Sequence, residues 1–595
     1  MADDRIICSG GTPAPSPSPR NQGLKTLQIA SQINVSSVNL SARWLPLLLV
    51  VFAGTLATLP VLLVGIPFNN DLANHYHFAL PFYDAITGGD LYPGWLATSN
   101  QGYGDPLFRF YPPGVYYLLA SARAVTGDWY TASSLVFTVV SILGALGAYF
   151  WASCFLPRHT AAWAGVFYAV MPYRAAELYQ AAQFAEFAGG VALLFALAFT
   201  TRICQRGTWL NVAGLAASYA LLILTHLPLT VLGSITLLLY ALLSLQGPRK
   251  VRTLIKLSGA AALGLAASAF YWTTVVREMS WIVGDGNHPD PLLDYRSNFI
   301  FSTFSPEQNV TIWWMNILMI ATLGMCIPAI FLLIRKRRLA AIPVALILFF
   351  SLLMATALSK PLWAAIPGLR LAQHPFRWLA VMSVAAPILI AASVPTWWKN
   401  FQGKGRPIAL VFAGLVLISV TFTVSQIIRP ARYLSRSEFE DILRPLRESP
   451  SIVQWLSVWA NNAAQGKPSY EKIPPLRASA EVEAGTRAVN VTSWQALTRS
   501  FHVEAGERID ARIRTLYYPH WSATSNGQLL TTSADKDGVL LISLPEDATT
   551  INLEFREPTL TKVSVAVSII CWTLLAALFI FSTFKRMHGE PRNSS

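Results

Sequence analysis

Twelve apolar stretches alternate with polar segments along this sequence, and each is close to the length of about 20 residues that a helix needs to cross a bilayer. Their spacing predicts a polytopic α-helical membrane protein of about 12 spans, because helices satisfy their own backbone hydrogen bonds inside lipid. The predicted spans are residues 44–66, 129–155, 161–178, 184–201, 210–226, 228–246, 253–276, 311–334, 339–358, 376–397, 407–427 and 562–584.

Basic residues indicate on which side of the membrane each connection lies. If the N-terminus is cytoplasmic, the Lys and Arg clusters at 202–206, 249–256, 335–338, 399–406 and 585–586 all fall on the cytoplasmic side. Cytoplasmic loops of membrane proteins carry such an excess of positive charge. The sequence therefore predicts a multi-pass protein of the plasma (inner) membrane with both termini in the cytoplasm.

The most distinctive polar segment is the first outer loop, residues 67–128. Its first part contains four carboxylates, two histidines and many aromatic side chains. A simple connection between two spans is short, whereas long loops rich in titratable groups usually carry function. Within it, the apolar segment 112–125 is too short to span and is predicted to be a helix packed at the outer face or a partial re-entrant helix. We expect this loop to hold the active site, outside the cytoplasm.

The chain is predicted to have four parts. Residues 1–42 are rich in Pro, Ser and Gly and are expected to be a disordered cytoplasmic N-terminus. Residues 43–427 form the transmembrane domain. Residues 428–561 form an extracytoplasmic domain, in which a helical linker precedes a β-sandwich whose strands alternate around the turn pairs Asn526-Gly527 and Asp537-Gly538. Residues 562–595 are a final anchoring span and a cytoplasmic tail.

Composition agrees with a membrane protein and excludes two other classes. The chain is 53% hydrophobic and 13% charged, with a mean hydropathy of +0.43, which excludes an ordinary soluble protein. Its net charge of +14 raises the question of nucleic-acid binding. Because the basic residues sit beside apolar runs and account for topology, we expect no nucleic-acid partner.

Asp71 and His75 are the first candidates for chemistry. Their i, i+4 spacing places them on one face of a helix. Asp71 can serve as a general base that takes a proton from a hydroxyl nucleophile. Alternatively, the two side chains can ligate a divalent metal such as Mn or Zn. The structural alternative is that Asp71 belongs to a helix N-cap.

Further candidates for substrate binding lie at the same predicted edge of the membrane. Asp105, Arg109 and Tyr111 occur in an aromatic segment that suits sugar rings, although an interfacial aromatic belt is the simpler interpretation. Glu186 and His226 lie at the ends of predicted spans, where ionisable groups are costly and often functional. Their structural alternative is interfacial snorkelling.

Arg370, His374 and Arg377 form a cationic cluster just before a predicted span. Arginine binds phosphate oxygens in a bidentate manner, so the cluster predicts a site for a lipid phosphate, and ordinary anionic headgroups are the alternative. The sequence has no Walker loop, no GxSxG and no HExxH motif, which leaves soluble-nucleotide chemistry unsupported.

Several of these segments resemble a known group of proteins. The segments GDLYPGW and GYGDPLFRFYPPGVYYL of the first outer loop resemble the GT-C superfamily of membrane glycosyltransferases. A closer resemblance is to bacterial membrane proteins of the YfhO type and to the group called 6-pyruvoyl-tetrahydropterin synthase-related, a label that we do not take to mean pterin chemistry. The segment YYPHWSATSNGQ in the β-domain is similar to a pattern of that group.

The resemblance implies a GT-C-like fold and a function. Asp71 matches the first-loop carboxylate that acts as base or metal ligand in the family. Glu186 resembles the glutamate that follows a PYR turn in related chains. Arg377 resembles an arginine that lies near the lipid phosphate. GT-C enzymes often have two adjacent acids where this chain has Asn70 and Asp71, which weakens the metal interpretation. No cofactor is assigned, and a divalent metal stays open.

The expected activity is transfer of a hexosyl or pentosyl group from a polyprenyl-phosphate donor to a glycan, lipid or protein acceptor. Membrane lipid is the remaining expected partner. Two other functions are open. A lipid-linked glycan transporter, or flippase, would have a central polar cavity with charges deep within the spans. A non-catalytic membrane scaffold would leave the Asp71 and Arg377 regions far apart.

Overall fold

A computed structural model describes residues 35–245, 247–282, 294–335, 341–446, 456–460 and 480–588. The chain forms two units, Met1–Leu49 and Val50–Ser595. Of the first unit, residues 35–49 are described, and they are helical. This helix begins within residues 1–42, the segment predicted to be a disordered N-terminus, and for residues 35–42 the disorder stays a prediction. The rest of that prediction, on residues 1–34, lies outside the described residues.

The described residues are mostly helical, and a group of β-strands precedes the last helix. The helices are α1 (Val35–Leu56), α2 (Leu59–Leu63), α3 (Asn70–Thr87), α4 (Ser99–Gly102), α5 (Gly114–Thr126), α6 (Trp129–Ala152), α7 (Arg158–Ala169), α8 (Pro172–Ala176), α9 (Phe184–Gln205), α10 (Trp209–Thr225), α11 (Leu227–Ser244), α12 (Lys250–Ala267), α13 (Ala269–Glu278), α14 (Val310–Arg335), α15 (Ile342–Ala355), α16 (Lys360–Ala365), α17 (Pro367–Arg370), α18 (Trp378–Phe401), α19 (Arg406–Phe422), α20 (Arg436–Leu446) and α21 (Thr559–His588).

Most of the predicted spans coincide with apolar helices. Within the described residues, seven helices are long and apolar enough to cross a membrane, and the α12–α13 pair, bent by 74°, would be an eighth span. Three further predicted spans coincide with shorter apolar helices, Trp44–Leu56, Trp209–Thr225 and Ile342–Ala355. The many-span helical architecture is therefore confirmed, and the number of twelve stays a prediction.

The predicted span 161–178 is not one continuous helix. Helix α7 has 12 residues and ends at Ala169, and Pro172 begins the short helix α8. A π-helical turn, Glu177–Ala181, follows, and Ala182 reverses the chain with a φ of 52°. Proline has no N–H to continue an α-helix, so the apolar run is interrupted where the sequence places Pro172. The break puts Tyr173, Arg174 and Glu177 between two long helices.

The first outer loop is folded and is attached at its start. Strand β1 (Ile66–Pro67) pairs antiparallel with β2 (Tyr433–Leu434), which joins the start of the loop to the chain that follows α19. Helix α3 comes next, and α5 confirms the helix predicted for residues 112–125. The loop is therefore structured and attached to the chain that follows α19.

Nine strands before α21 form two sheets, as the predicted β-sandwich requires. They are β3 (Val482–Glu483), β4 (Val489–Trp494), β5 (Thr498–Val503), β6 (Ile509–Leu516), β7 (Trp521–Ser525), β8 (Gln528–Leu530), β9 (Thr532–Ala534), β10 (Val539–Leu544) and β11 (Thr549–Phe555). One sheet has the order β3-β6-β10-β9 and the other β4-β5-β11-β7-β8. Both predicted turn pairs connect neighbouring strands.

The core between the β-strands also takes in aromatic side chains of the first outer loop. Trp95, Tyr103 and Phe110 are buried in the same apolar cluster as the inward-facing residues of the strands. The backbone N–H of Leu516 in β6 donates to the Tyr103 carbonyl at 2.7 Å. One part of the first outer loop is thus packed against the β-domain. Another part, α3, carries the candidate residues Asp71 and His75.

Candidate functional site

One cavity collects six of the ten predicted site residues. It has a volume of about 180 Å³ and lies where α3, the segment before α5, the starts of α9 and α11 and the turn before α18 approach one another. Drug-sized ligands usually occupy about 300–1,000 Å³, so this cavity is smaller than the usual site for a whole ligand of that size. The predicted residues that line it are Asp71, His75, Tyr111, Glu186, His226 and Arg377.

Helix α3 presents one face to this cavity. Asp71, His75 and Phe78 line it at helical spacing, as the sequence predicted. Asn69 holds the N-cap position, and its side chain makes no capping hydrogen bond. Asp71 lies in the first turn, where the helix dipole favours a negative charge. Among the described residues no hydrogen bond or ion pair engages its carboxylate, so the carboxylate is available to a ligand.

His75 is held as a neutral imidazole behind Asp71. Its Nδ1 lies 2.9 Å from the Tyr116 hydroxyl, and the ring meets the edge of Phe184 with centroids 5.4 Å apart. Burial lowers the pKa of His75 to about 4, although the nearby Asp71 charge raises it. His75 therefore contributes hydrogen bonding at neutral pH and no positive charge.

The depressed pKa of His75 predicts a pH-dependent stability. In the unfolded chain His75 takes up a proton near pH 6.5, while the folded chain resists it down to about pH 4. The stabilisation is fully present above pH 6.5 and is lost as the pH falls toward 4. At pH 5 the loss amounts to about 2 kcal/mol relative to pH 8. Thermal unfolding of wild type and His75→Gln at both pH values measures it: wild type should lose more stability than the variant, and equal losses would contradict the assignment.

Glu186 is the centre of a buried polar network at the opposite wall. Its Oε2 lies 3.3 Å from Arg377 Nε and 4.0 Å from His226 Nε2. Its Oε1 accepts a hydrogen bond of 2.8 Å from the Tyr173 hydroxyl. A buried carboxylate is tolerated only when it is paired and hydrogen-bonded, and Glu186 is 2% exposed. Glu186 thus fixes one edge of the Arg377 guanidinium.

The turn before α18 fixes a second edge of that guanidinium. Arg377 Nη1 donates to the Ala372 carbonyl at 2.8 Å and to Gln373 Oε1 at 3.1 Å. Gln373 adopts a φ of 60°, which an L-residue rarely does, and so bends the turn toward the cavity. Within the described part of the chain no hydrogen bond engages Nη2. That nitrogen is the donor left for a ligand.

The other two members of the cationic cluster lie outside the cavity. Arg370 Nη2 donates to the Ala364 carbonyl at 3.3 Å, and the His374 ring stacks on Phe376 at 4.9 Å. Neither side chain lines the cavity, although both are only a few residues from Arg377 in sequence. Arg377 thus lines the cavity without Arg370 and His374, and the expectation that Arg370 or His374 helps Arg377 to bind a phosphate stays a prediction.

Asp105 and Arg109 lie outside the Asp71 cavity and make structural contacts, and their predicted role in substrate binding stays a prediction. Asp105 is buried, and its Oδ1 accepts the Leu107 N–H at 2.9 Å. Arg109 is fully buried and makes two hydrogen bonds to Glu278, of 2.6 and 2.8 Å, and one of 2.6 Å to Glu557. Glu278 also accepts from the Tyr518 hydroxyl at 2.6 Å. We call this group the Arg109 clamp, because it joins the first outer loop, α13 and the β-domain.

Sequence reasoning missed several residues that complete the cavity. Tyr173 hydrogen-bonds to Glu186, and Gln373 hydrogen-bonds to Arg377. Asn74 and Gln183 also line the cavity. The residues PYR at 172–174 were a usable signal for Tyr173, since a proline inside an apolar run marks a break. Gln373 carried no comparable signal.

The donor set does not form a preorganised metal site. Across the described ranges, no three His, Cys, Asp or Glu side chains are grouped so that they could hold an ion. The metal interpretation of Asp71 and His75 therefore stays a prediction, and no step below passes through a metal. Asp71 and Arg377 line one cavity, whereas the scaffold hypothesis expected them to be far apart.

Comparisons with known proteins give a family and distant structural similarities. A sequence model of the 6-pyruvoyl-tetrahydropterin synthase related domain, described as a membrane protein, matches residues 108–432. No curated protein matches the sequence. A crystal structure of ArnT from Cupriavidus metallidurans bound to undecaprenyl phosphate is similar over 70% of this chain and 80% of that one, with 14% identity and a TM-score of 0.35.

Proposed function

The chain belongs to the 6-pyruvoyl-tetrahydropterin synthase-related family of membrane proteins, and for this member we propose a membrane glycosyltransferase. It moves a sugar from a polyprenyl-phosphate donor to an acceptor hydroxyl at the outer face of the membrane. The observation that carries the proposal is that Asp71 and Arg377 line the same cavity. Within the described residues, the Asp71 carboxylate and Arg377 Nη2 make no hydrogen bond and so are available to a ligand.

The reaction follows from these two groups. The acceptor oxygen attacks the anomeric carbon of the sugar, the bond from that carbon to the phosphate oxygen breaks, and polyprenyl phosphate leaves with the bonding electrons. Asp71 takes the proton of the attacking hydroxyl as general base. The Arg377 guanidinium stabilises the negative charge that develops on the leaving phosphate. Attack opposite the leaving group inverts the anomeric configuration.

Among the described lining residues, Arg377 supplies the positive charge for the donor phosphate, while Asp71 and Glu186 are carboxylates in the same cavity. Arg377 is the one arginine among the described lining residues. Glu186 lies beside its Nε and neutralises part of its charge. His75 is neutral and adds none. A sugar phosphodiester carries about one negative charge, which one guanidinium can match. Glu186 acts as a positioning residue, because it orients Arg377 and leaves Nη2 for the phosphate.

The test of this assignment is binding of polyprenyl phosphate to Arg377→Gln in detergent, measured by calorimetry with unphosphorylated polyprenol as the reference ligand. Loss of a hydrogen bond to a charged group should weaken affinity about 10- to 100-fold. Arg370→Gln is the matched control, since the same substitution lies a few residues away but outside the cavity, and it should bind like wild type.

A second variant distinguishes loss of phosphate binding from loss of folding. Arg377→Gln leaves Glu186 buried without its cation, so the double variant Arg377→Gln/Glu186→Gln removes both charges together. It should restore stability without restoring affinity. Wild-type affinity in both variants would remove Arg377 from the phosphate site.

A further inference from the structure

A second cavity, separate from the Asp71 cavity, lies between the end of α1, the end of α7, the turn at α8 and the π-helical segment Thr423–Ile428. Its volume is about 400 Å³, within the range of ligand pockets. Its lining is almost wholly apolar and shares no residue with the Asp71 cavity. Typical members are Ala53, Ala57, Val166, Leu178, Val420 and Val424.

Two buried polar side chains interrupt this apolar lining. Tyr168 and Arg174 are 2% and 4% exposed, and both line the cavity. Within the described part of the chain, the Tyr168 hydroxyl and Arg174 Nε have no hydrogen-bond partner. A buried donor without a partner costs about 1–3 kcal/mol. Two such donors at one apolar cavity point to a ligand that supplies an acceptor.

The charge balance around Arg174 limits the kind of acceptor. Arg174 Nη1 forms an ion pair of 2.6 Å with Glu177, and Nη2 donates to the Phe187 carbonyl at 2.7 Å. Because the pair is neutral as a whole, a phosphate or carboxylate would bring an uncompensated charge into an apolar space. A neutral carbonyl oxygen can accept from the Tyr168 hydroxyl and Arg174 Nε without that cost.

We propose that this cavity binds an acyl chain of an ester-linked membrane lipid. The ester carbonyl accepts hydrogen bonds from Tyr168 and Arg174, and the hydrocarbon lies between α1 and Thr423–Ile428. Leu56 and Val424 line the cavity and are themselves 51% and 50% exposed, so its opening faces the hydrocarbon of the bilayer. The site is independent of the proposed transferase activity and stands if that activity fails.

The test is photo-crosslinking in nanodiscs with a phospholipid that carries a diazirine on its acyl chain, followed by mass-spectrometric mapping. Cross-links should concentrate on residues 53–60 and 420–428. Ala57→Phe fills the cavity and should reduce them at least about fivefold. Ser234→Phe is the matched control, because it fills a different apolar cleft, lined by Tyr219, Leu238 and Ser258, and should leave them unchanged.

Two further comparisons test the carbonyl contact. Tyr168→Phe removes one neutral hydrogen bond and should lower cross-linking of the ester lipid about fivefold. An ether-linked analogue has no carbonyl, so the same variant should leave its cross-linking unchanged. Uniform labelling of all exposed helix faces, or no effect of Ala57→Phe, would overturn the proposal. Stronger labelling by a diazirine fatty acid than by the ester lipid would overturn the neutral-carbonyl assignment.

Discussion

Asp71→Asn should reduce sugar transfer by about 10²- to 10⁴-fold, the contribution that a positioned general base usually makes. The amide has the size of the carboxylate but cannot accept the proton of the attacking hydroxyl. Affinity for polyprenyl phosphate should not weaken, because the phosphate contact belongs to Arg377 and the substitution removes a negative charge from the same cavity. The loss should therefore appear in kcat and not in donor binding.

The measurement is release of polyprenyl phosphate from hexosyl and pentosyl polyprenyl-phosphate donors, screened on wild type to find the sugar that reacts. Asp84→Asn is the matched control, since it is the same change on the same helix, α3, outside the cavity. It should retain wild-type turnover. Full transfer by Asp71→Asn would remove Asp71 from the role of base. No transfer by wild type from any of these donors would favour the transporter hypothesis instead.

The largest expected effect on stability is that of Arg109→Met. The substitution breaks the Arg109 clamp and leaves Glu278, fully buried, without its cation. Removing one partner of a buried ion pair costs about 3–5 kcal/mol. Because the clamp joins three parts of the chain, we expect a lower thermal midpoint for the whole protein, measured by differential scanning fluorimetry of the full chain in detergent.

Arg512→Met in the same β-domain provides the comparison. Arg512 pairs with Asp535 at 2.7 Å, but both side chains keep partial exposure, 23% and 15%. Ion pairs in contact with solvent contribute about 0–1 kcal/mol, so this variant should melt close to wild type. Equal midpoints for Arg109→Met and Arg512→Met would contradict the clamp. Arg109→Met/Glu278→Gln should recover part of the loss, since it removes the stranded charge.

Hydrophobic periodicity was sufficient for the architecture because burial in lipid imposes a length and a polarity on every span. It predicted the long helices, the folded first outer loop and the strands around Asn526-Gly527. It failed at residues 161–178, where apolar composition suggested a span and Pro172 in fact breaks the helix. Composition averages over a window, whereas a single missing N–H decides whether the helix continues.

The residues of the candidate site were predictable where a charged side chain stands beside an apolar run of the sequence. Asp71, Glu186 and Arg377 are charges beside apolar runs, and the structure brings them to one cavity. Arg109 has the same appearance in sequence, yet its partners lie 169 and 448 residues away, so nothing nearby indicates a structural pairing. Arg370 was assigned with Arg377 by proximity in sequence, and it does not line the cavity.

The most direct test of the account is a structure of the protein determined with polyprenyl phosphate added. We expect density for the phosphate within hydrogen-bond distance of Arg377 Nη2, in the cavity that Asp71 also lines, and we expect the Arg370 side chain to be free of it. Phosphate density elsewhere, or a cavity that stays empty at saturating lipid, would contradict the proposed glycosyl transfer and return the transport and scaffold hypotheses to consideration.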